Sequence, residues 1–429
     1  MTRFAPAGPL RGSLRPPADK SISHRAALIA AMGEGEAAIE GYLDAADTRS
    51  TLAAVQSLGA AVEEGGDGGA IRVRGVGLRG PRPAAIDVGN AGTLLRLLPG
   101  WLAGQGDGEW TLNGDDSIRR RPVDRIAEPL REMGADLGCR DERLPPLEVR
   151  GAQLHGIEYR LPVASAQVKS CLLLAGLLAD GETRVVEPLP TRDHSERMLA
   201  AAGADVSRRG DAVVVQPAVA LGPGRIVVPA DLSSAAFFVV AALLVGGSEV
   251  LLRGVGLNPT RTGILTVLER MGARIEIEPG GERGGEPIGD LRVLASDLHA
   301  TEVGGAEVPL AIDELPLVAL SACFAEGTTT IRDAAELRRK ESDRIATVTA
   351  ALTALGGRVE ATEDGMAIEG SGGLRGGAID SHGDHRIAML GAIAGLASEQ
   401  DVEVNGMEAA AVSFPGFEAD LASLLGGGA

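Results

Sequence analysis

The chain has 429 residues, with 41 Lys and Arg against 59 Asp and Glu, so its formal net charge is −18. Proteins that bind nucleic acid need a surplus of cations, and this chain has the opposite charge, which excludes nucleic acid as an expected partner. The longest apolar run, residues 235–245, is too short to span a bilayer, so we expect a cytoplasmic protein with no membrane partner.

An amphipathic segment ending in the pattern Leu/Met-Gly-Ala-x-Val/Ile recurs along the chain, as SLGAAV, EMGADL, AAGADV, RMGARI and ALGGRV. The first glycine of each copy lies at 59, 134, 203, 272 and 356, at spacings of 75, 69, 69 and 84 residues. With a truncated last copy near Gly426, this self-similarity indicates six repeats of roughly 70 residues. The glycine suits a left-handed residue just after a helix, and the apolar alternation that follows it predicts a strand.

Each repeat also contains a second predicted helix, which is rich in Ala and Leu on all sides. Such a helix is buried, because it has no polar face to present to water, and sheets must then surround it. These helices are predicted at 22–32, 93–103, 166–179, 233–245, 314–325 and 385–397. Together with the short strands they predict two α/β bodies of three repeats each.

Polar clusters stand at the start of every predicted buried helix, at 20–25, 90–93, 165–169, 231–234, 313–314 and 384–386. Ser, Thr, Asn and Asp are common helix caps, so capping alone is one interpretation. It does not explain Lys20, Arg25 or Arg386, because a cation at a helix N-terminus opposes the helix dipole unless an anion binds there. The amphipathic helices begin with further cations, at 49, 119–121, 192, 261 and 338–344. If the N-termini of these helices converge, their cations would line one cleft that binds phosphates and carboxylates.

Only three of the 41 cations are lysines, namely Lys20, Lys169 and Lys340, and the other 38 are arginines. An ammonium group is compact and can release a proton, whereas a guanidinium stays charged and planar. The three lysines are therefore candidates for roles that need an ammonium, with chance as the alternative. Because Lys169 follows the start of a predicted buried helix, we expect it to be an internal ion-pair partner. His24 and His194 are expected to act as hydrogen-bonding groups behind the site.

Nine motifs follow one another along the chain, one or two in each repeat. They are DKSISHR at 19–25, GNAGTLLR at 89–96, RRRPVDR at 119–125, ASAQVKS at 164–170, TRDHSERM at 191–198, NPTRTG at 258–263, IDELP at 312–316, LRRKESDRI at 337–345 and GDHRIAM at 383–389. Each motif alone is weak, but the ordered set covers essentially the whole chain. It resembles the 5-enolpyruvylshikimate-3-phosphate synthase family of the enolpyruvyl transferases.

The resemblance implies a two-domain inside-out α/β barrel, built from six βαβαββ repeats, three per domain, with buried helices. One discontinuous domain would contain residues 1–18 and 231–429, and the other residues 19–230. The hinge would lie near 18–19 and 229–230, and the domains of this family close on their substrates. We therefore expect domain closure in this chain, because cations on each half repel one another until anions arrive.

The implied reaction transfers the enolpyruvyl group of phosphoenolpyruvate to the 5-hydroxyl of shikimate 3-phosphate and releases phosphate, through a tetrahedral addition-elimination intermediate. This is a step of the shikimate pathway of aromatic amino acid biosynthesis. The resemblance implies no cofactor and no metal, only these two small-molecule substrates, and a monomer is compatible with it. Gly92 keeps the small residue associated with access for glyphosate, so we expect that inhibitor to compete with phosphoenolpyruvate.

The resemblance also assigns roles to individual residues. Our hypothesis for catalysis is that Asp313 takes the hydroxyl proton and Glu341 protonates the methylene carbon, with Lys20 assisting. The residues implied to bind shikimate 3-phosphate are Lys20, Ser21, Arg25, Ser165, Ala166, Gln167, Arg192, Asp313 and Lys340. Those implied to bind phosphoenolpyruvate are Lys20, Gly92, Arg121, Gln167, Arg344 and Arg386.

Two alternatives stay open at this point. The sister family transfers enolpyruvyl to UDP-N-acetylglucosamine and shares Lys20 and Arg121, but it usually has a reactive cysteine where this chain has about Asp116. It also lacks the S-x-S-H-R sequence that this chain has at 21–25. A non-enzymatic repeat scaffold is the second alternative, although no contiguous apolar binding stripe can be read from the sequence.

Overall fold

The computed structural model describes residues 1–66 and 69–426, and the chain divides into two compact units. Unit 1 comprises Met1–Pro17, Pro229–Gly281 and Pro287–Ala429. Unit 2 comprises Ala18–Val228 and the short stretch Glu282–Glu286. Neither unit is continuous in sequence, and the sheets below show why.

Thirteen α-helices lie in the described residues. They are α1 (Lys20–Met32), α2 (Ala46–Ser57), α3 (Gly92–Ala103), α4 (Asp124–Glu132), α5 (Ala166–Gly176), α6 (His194–Ala201), α7 (Leu232–Leu244), α8 (Gly263–Arg270), α9 (Val308–Ala311), α10 (Leu315–Phe324), α11 (Arg344–Ala354), α12 (His385–Ala397) and α13 (Phe417–Leu425). Short 3-10 helices cover Ile118–Arg120, Gly305–Glu307, Ala335–Arg339 and Met407–Val412. Across the described part of the chain, no helix combines the length and the apolar character that crossing a membrane requires.

The strands are short and evenly distributed. They are β1 (Thr2–Phe4), β2 (Arg11–Leu14), β3 (Glu36–Glu40), β4 (Ala61–Glu64), β5 (Ile71–Arg74), β6 (Ala84–Asp87), β7 (Glu109–Asn113), β8 (Asp136–Arg140), β9 (Leu144–Arg150), β10 (Glu158–Arg160), β11 (Thr183–Val186), β12 (Val206–Arg209), β13 (Ala212–Val215), β14 (Arg225–Val227), β15 (Glu249–Gly256), β16 (Arg274–Arg283), β17 (Glu286–Leu294), β18 (Glu302–Val303), β19 (Thr328–Ile331), β20 (Arg358–Ala361), β21 (Met366–Glu369), β22 (Gly377–Asp380) and β23 (Val402–Asn405).

Unit 2 holds three four-stranded sheets of the same design, with the strand orders β6-β7-β9-β8, β10-β11-β13-β12 and β14-β3-β5-β4. In each sheet the first pair is parallel and the other two pairs are antiparallel. The third sheet takes its first strand from the far end of the unit's sequence, where Arg225 aligns with Ala38. The first repeat of this unit is therefore completed by its last strand.

Unit 1 repeats the design with the orders β16-β17-β15-β2 and β18-β19-β21-β20, and with a three-stranded sheet β1-β23-β22. Here the amino-terminal segment supplies two missing strands, since β2 pairs in parallel with β15 and β1 pairs antiparallel with β23. The two-domain α/β fold with three repeats per unit, expected from the sequence, is thus confirmed.

The predicted buried helices are confirmed as α1, α3, α5, α7, α10 and α12, whose side chains are buried along most of their length. Helix α5 ends at Gly176, three residues before the predicted end. Small residues allow these helices to approach closely: a Cβ atom at Gly100 on α3 would overlap the Cys171 carbonyl group on α5. Closely packed helix backbones compensate for the small number of aromatic side chains in a chain that is only 2% aromatic.

The recurring glycine follows five of the amphipathic helices in the predicted left-handed conformation. Its φ angle is +107° at Gly59, +98° at Gly134, +93° at Gly203, +95° at Gly272 and +94° at Gly356. Residues with a Cβ atom rarely adopt this left-handed conformation, which explains why the same residue type recurs in these five repeats. A strand begins within three residues of each of these glycines. At the truncated sixth copy, Gly426 has a φ angle of −86° and is not left-handed.

Candidate active site

Four of the buried helices are capped by an acceptor side chain at the residue that precedes them. Asp19 accepts from the Ile22 backbone N–H (2.8 Å) and Ser165 accepts from that of Val168 (3.4 Å). Asp231 and Asp384 accept in the same way from the second residue of their helices. Capping is therefore part of the explanation for the polar clusters. The cations that accompany the caps require a further explanation, given below for each unit.

In unit 2, Lys20 is the first residue of α1 and forms an ion pair with Asp47 at the start of α2, with 3.0 Å between Nζ and Oδ2. The Lys20 side chain keeps 23% of its surface exposed, whereas that of Asp47 keeps 8%. The ammonium group of Lys20 is thus held by the more buried Asp47 and remains partly accessible to solvent. Asp47 lies in a helix-start cluster of the sequence, but the sequence did not identify it as the partner of Lys20.

Arg25 lies one turn further along α1 and is 4% exposed. Its guanidinium donates from Nε to Ser195 Oγ (2.7 Å), from Nη1 to the Ser21 carbonyl (2.9 Å) and from Nη2 to Ser170 Oγ (3.0 Å). Burial lowers the pKa of Arg25 to about 10, with Arg192 among the further causes. The fold therefore keeps two arginines within electrostatic reach of each other, an arrangement that an anion would stabilise.

Gln167, on the first turn of α5, is held by two residues of α3. Arg96 Nη1 donates to Gln167 Oε1 (2.8 Å), and Gln167 Nε2 donates to Thr93 Oγ1 (3.1 Å). At the start of α3, a Cβ atom on Gly92 would overlap the Arg121 guanidinium. The structure thus brings together the predicted residues Gly92, Gln167 and Arg121 within unit 2. Arg96 was missed as a site residue, although it ends the GNAGTLLR motif one turn after Gly92.

The histidines and Lys169 have the supporting contacts that the sequence predicted. His24 Nδ1 lies 2.6 Å from Thr51 Oγ1, and His194 Nδ1 lies 2.7 Å from Glu286 Oε1. Burial, followed by the nearby Lys20 and Arg25 charges, lowers the pKa of His24 well below its ordinary value, so this ring is neutral at pH 7. Lys169 is completely buried in an ion-pair cluster, which confirms its interpretation as an internal partner.

In unit 1, Arg344 begins α11 and organises a cluster of three carboxylates, although it is only 1% exposed. It donates to Asp384 from Nε (2.8 Å) and Nη2 (3.2 Å), to Glu341 Oε2 from Nη2 (2.6 Å) and to Asp313 Oδ1 from Nη1 (3.2 Å). Burial opposes the charge of Arg344, but these carboxylates outweigh it and raise its pKa. Burial likewise opposes the charge of Asp384, and Arg344 with His385 nevertheless lowers its pKa.

Two predicted catalytic carboxylates therefore share one guanidinium. Asp313 also forms an ion pair with Lys340, with 3.0 Å between Nζ and Oδ1, so Lys340 and Arg344 both contact this carboxylate. Glu341 is more exposed than Asp313, with 29% of its side-chain surface accessible against 13%. The predicted residues Asp313, Lys340, Glu341 and Arg344 lie together as one group. Asp384, which anchors Arg344, was recognised in the sequence only as a helix cap.

Arg386 lies on the first turn of α12, close to two polar groups from other helices of unit 1. Its Nη2 donates to Ser233 Oγ (2.6 Å), and its Nη1 lies 3.6 Å from Glu314 Oε1. Ser233 Oγ in turn donates to Glu314. These contacts orient a 12%-exposed guanidinium at a helix N-terminus, where the dipole and the side chain would attract the same anion.

In the residues described, one group of side chains offers three potential metal ligands, namely Asp193, His194 and Glu286 of unit 2. Asp193 already pairs with Arg197 (2.9 Å), and His194 with Glu286. Each of these groups thus already has a partner within the protein. Each unit instead gathers cations at helix starts, which suits phosphate and carboxylate ligands, and unit 1 places carboxylates beside them.

Comparisons with known proteins agree with this chemistry. The family model described as "EPSP synthase (3-phosphoshikimate 1-carboxyvinyltransferase)" matches residues 4–421. A 3-phosphoshikimate 1-carboxyvinyltransferase of Desulforudis audaxviator is 50% identical over 98% of this chain and 99% of its own, and one from Anaeromyxobacter sp. is 53% identical over 98% of both. A solved EPSP synthase from Acinetobacter baumannii has a TM-score of 0.87 at 43% identity, covering 98% of this chain and 97% of its own. The chain therefore belongs to the EPSP synthase family.

Proposed function

We propose that this protein is a 3-phosphoshikimate 1-carboxyvinyltransferase (EC 2.5.1.19), which transfers the enolpyruvyl group of phosphoenolpyruvate to the 5-hydroxyl of shikimate 3-phosphate and releases phosphate. Membership of the family over nearly the whole chain supports this. The observation that carries the proposal is the buried Arg344, which holds Asp313 and Glu341 as neighbouring carboxylates. Transfer of an enolpyruvyl group needs a base and an acid, and this cluster offers a carboxylate for each.

The charges of the substrates account for the cations. Phosphoenolpyruvate and shikimate 3-phosphate each carry a phosphate and a carboxylate, and binding both concentrates several negative charges. An acidic protein with a net charge of −18 can bind them only where it gathers cations locally. It does so at helix starts, where the backbone N–H groups add to the attraction.

We assign shikimate 3-phosphate mainly to residues of unit 2. Ser165 and Arg192 are proposed to bind its phosphate, while Ser21 and Arg25 bind its carboxylate. Gln167, fixed by Arg96, is proposed to bind the same substrate. The remaining residues of this assignment are Lys20, Ala166, Asp313 and Lys340.

We assign phosphoenolpyruvate mainly to cationic side chains that other residues of the fold already orient. Arg121 lies against Gly92, which leaves no room for a side chain on that glycine. Arg344 is oriented by three carboxylates and Arg386 by Ser233. The other proposed ligands are Lys20 and Gln167. Glyphosate, an anion that carries a carboxylate and a phosphonate, is expected to compete for these cations.

The reaction needs two proton transfers, which we divide between the paired carboxylates. Asp313 accepts the 5-hydroxyl proton as the oxygen bonds to C2 of phosphoenolpyruvate, while Glu341 donates a proton to the methylene carbon, giving the tetrahedral ketal with a methyl group. In the second half phosphate leaves, and the methyl group returns a proton to the Glu341 carboxylate to restore the double bond. Lys20, whose ammonium is held by Asp47, assists by stabilising the charge of the departing phosphate.

The decisive experiment measures phosphate release from phosphoenolpyruvate mixed with shikimate 3-phosphate, beside a parallel reaction with UDP-N-acetylglucosamine. Release only with shikimate 3-phosphate is expected. Release only with the nucleotide sugar would assign the chain to the sister activity, and no release in either would favour a scaffold. Single-turnover rates of Glu341→Gln and Asp313→Asn in deuterated water then test the division of roles. Near-normal chemistry in Glu341→Gln would contradict the proposed acid.

We also propose that the chain crossings between the units, near residues 18–19 and 229–230, act as hinges during turnover. Substrate anions would remove the repulsion between the cations of each unit. Small-angle scattering with and without shikimate 3-phosphate plus glyphosate measures this directly. An unchanged radius of gyration would count against hinge closure.

A further inference from the structure

Lys169 is a buried ammonium for which the proposed reaction has no direct use. It lies on the first turn of α5 and is 0% exposed, so it cannot reach a substrate through solvent. Its Nζ is 2.9 Å from Glu187 Oε1, 2.6 Å from Glu196 Oε1 and 3.4 Å from the Thr191 carbonyl oxygen. Three oxygens thus surround a group that has three N–H donors.

Glu187 and Lys169 hold Thr191 from both sides. The Thr191 N–H donates to Glu187 Oε1 (3.1 Å), the Thr191 hydroxyl donates to the same oxygen, and the Thr191 carbonyl accepts from Lys169. The other oxygen of Glu187 accepts from Arg208 (3.1 Å), so Glu187 is itself fixed. Both backbone polar groups of Thr191 are therefore bound, and its carbonyl carbon is bonded directly to the nitrogen of Arg192.

The same lysine also fixes the other end of the segment. Glu196 lies on α6, whereas Glu187 follows β11, so the two carboxylates paired with Lys169 bracket residues 187–196. Arg192 lies between them and is close enough to Arg25 to lower the pKa of that arginine. Holding like charges together costs free energy in the absence of an anion, so the segment needs an anchor that withstands the repulsion.

We propose that Lys169 is a positioning residue, which holds the 187–196 segment through Thr191, Glu187 and Glu196 so that Arg192 meets the phosphate of shikimate 3-phosphate. This inference rests on the proposed function, in which Arg192 binds that phosphate. It also explains why Lys169 is one of only three lysines beside 38 arginines. A planar guanidinium cannot direct its donors to three oxygens that surround a point.

The test uses the full-length protein and the substitution Lys169→Met, which keeps length and volume but removes the charge. We expect the KM for shikimate 3-phosphate to rise about tenfold or more, because Arg192 loses its fixed geometry. The kcat and the KM for phosphoenolpyruvate should change less than about threefold, since neither depends on Arg192. Lys169→Arg should resemble Lys169→Met rather than the wild type. An unchanged KM for shikimate 3-phosphate would overturn the inference.

A double-mutant cycle with Arg192→Ala identifies the route of the effect. If Lys169 acts through Arg192, Lys169→Met should have almost no further effect on the KM for shikimate 3-phosphate in the Arg192→Ala background. Additive effects in the cycle would show that Lys169 acts by another route. Inactivity of the wild-type protein toward shikimate 3-phosphate would instead refute the proposed function, so the two failures are distinguishable.

Two further variants guard against a merely structural effect. Glu187→Gln is gentler than Lys169→Met, because the amide oxygen can still accept from Thr191, and it should raise the same KM by a smaller factor. It carries the test if Lys169→Met does not fold. Val149→Ala, in the buried part of β9 of the same unit, should lower the urea midpoint without moving the KM for shikimate 3-phosphate. A rise in that KM in Val149→Ala would count against a specific role for Lys169.

Discussion

The substitution Asp384→Asn tests how the buried Arg344 is stabilised. Asp384 is fully buried and makes two bonds to Arg344, at 2.8 and 3.2 Å, and also accepts from Ser342 (3.0 Å). Removing one charge from a buried pair typically costs about 3–5 kcal/mol, because the other charge stays desolvated. Asparagine is a good helix cap and retains an oxygen for the Arg386 backbone N–H, so the start of α12 should survive.

We therefore expect Asp384→Asn to lower the free energy of unfolding by about 3 kcal/mol, toward the smaller end because Glu341 and Asp313 still face Arg344. Asp384→Ala should cost about 1 kcal/mol more, since the cap is lost as well. The matched control is Glu369→Gln, which breaks the exposed pair between Glu369 and Arg358 of the same unit. That change should cost less than about 1 kcal/mol.

Urea denaturation followed by far-UV circular dichroism measures these changes for the whole chain. Tryptophan fluorescence reports on unit 2, because Trp101 and Trp110 are the two tryptophans of the sequence and both lie in that unit. The loss of stability caused by Asp384→Asn, at a residue of unit 1, should therefore appear in the circular dichroism transition. If Asp384→Asn stays within about 1 kcal/mol of the wild type, the two bonds do not hold Arg344 and the reasoning is wrong.

Three further predictions concern individual side chains. Gly92→Ala should raise the KM for phosphoenolpyruvate roughly ten- to hundredfold, because the added methyl group would displace the Arg121 guanidinium; steady-state kinetics measures this. Gly203→Ala should lower the free energy of unfolding by about 1 kcal/mol because of its φ of +93° alone, since the added Cβ atom would meet nothing within 4 Å. The control Gly222→Ala lies at an equally open position without a left-handed φ, and urea denaturation should show it to be neutral or stabilising. The pKa of His24 is lowered in the folded protein, so between about pH 6.5 and that lower pKa only the unfolded chain protonates this imidazole. As the pH falls through this range, the free energy of unfolding should decrease by about 1.4 kcal/mol per pH unit. The urea midpoint should therefore fall between pH 7 and pH 5 in the wild type, and this fall should be smaller in His24→Gln.

The repeats and their helices could be predicted because both are local properties of the sequence. A left-handed glycine after five of the amphipathic helices leaves a visible spacing, and an all-apolar helix is recognisable from a dozen residues. The N-terminal caps Asp19, Ser165 and Asp384 are likewise read from adjacent residues. Such signals do not depend on how the distant parts of the chain meet.

The strand exchange between repeats could not be predicted in this way. Strand β14 completes a sheet with β3, which lies more than 180 residues earlier, and β1 pairs with β23 from the other end of the chain. The same limit applies to the partners in the site. Arg96 meets Gln167 across 71 residues, and Arg344 meets Asp384 across 40, so neither pair leaves a periodic pattern in the sequence.

The charge of the unit 1 cluster gives a physical reason for the proposed division of proton roles. Arg344 and Lys340 face the carboxylates of Asp313, Glu341 and Asp384, for a formal charge of 2 − 3 = −1. When substrate anions bind, this surplus negative charge favours the uptake of a proton by one carboxylate.

The contacts and the exposure of the three carboxylates bear on the proposed assignment of acid and base. Asp384 makes two bonds to Arg344, and Asp313 lies close to both Arg344 and Lys340. Glu341 is paired with Arg344 and is the most exposed of the three carboxylates. The exposed Glu341 is therefore better placed for the proposed role of acid, and Asp313, held between two cations, for the proposed role of base.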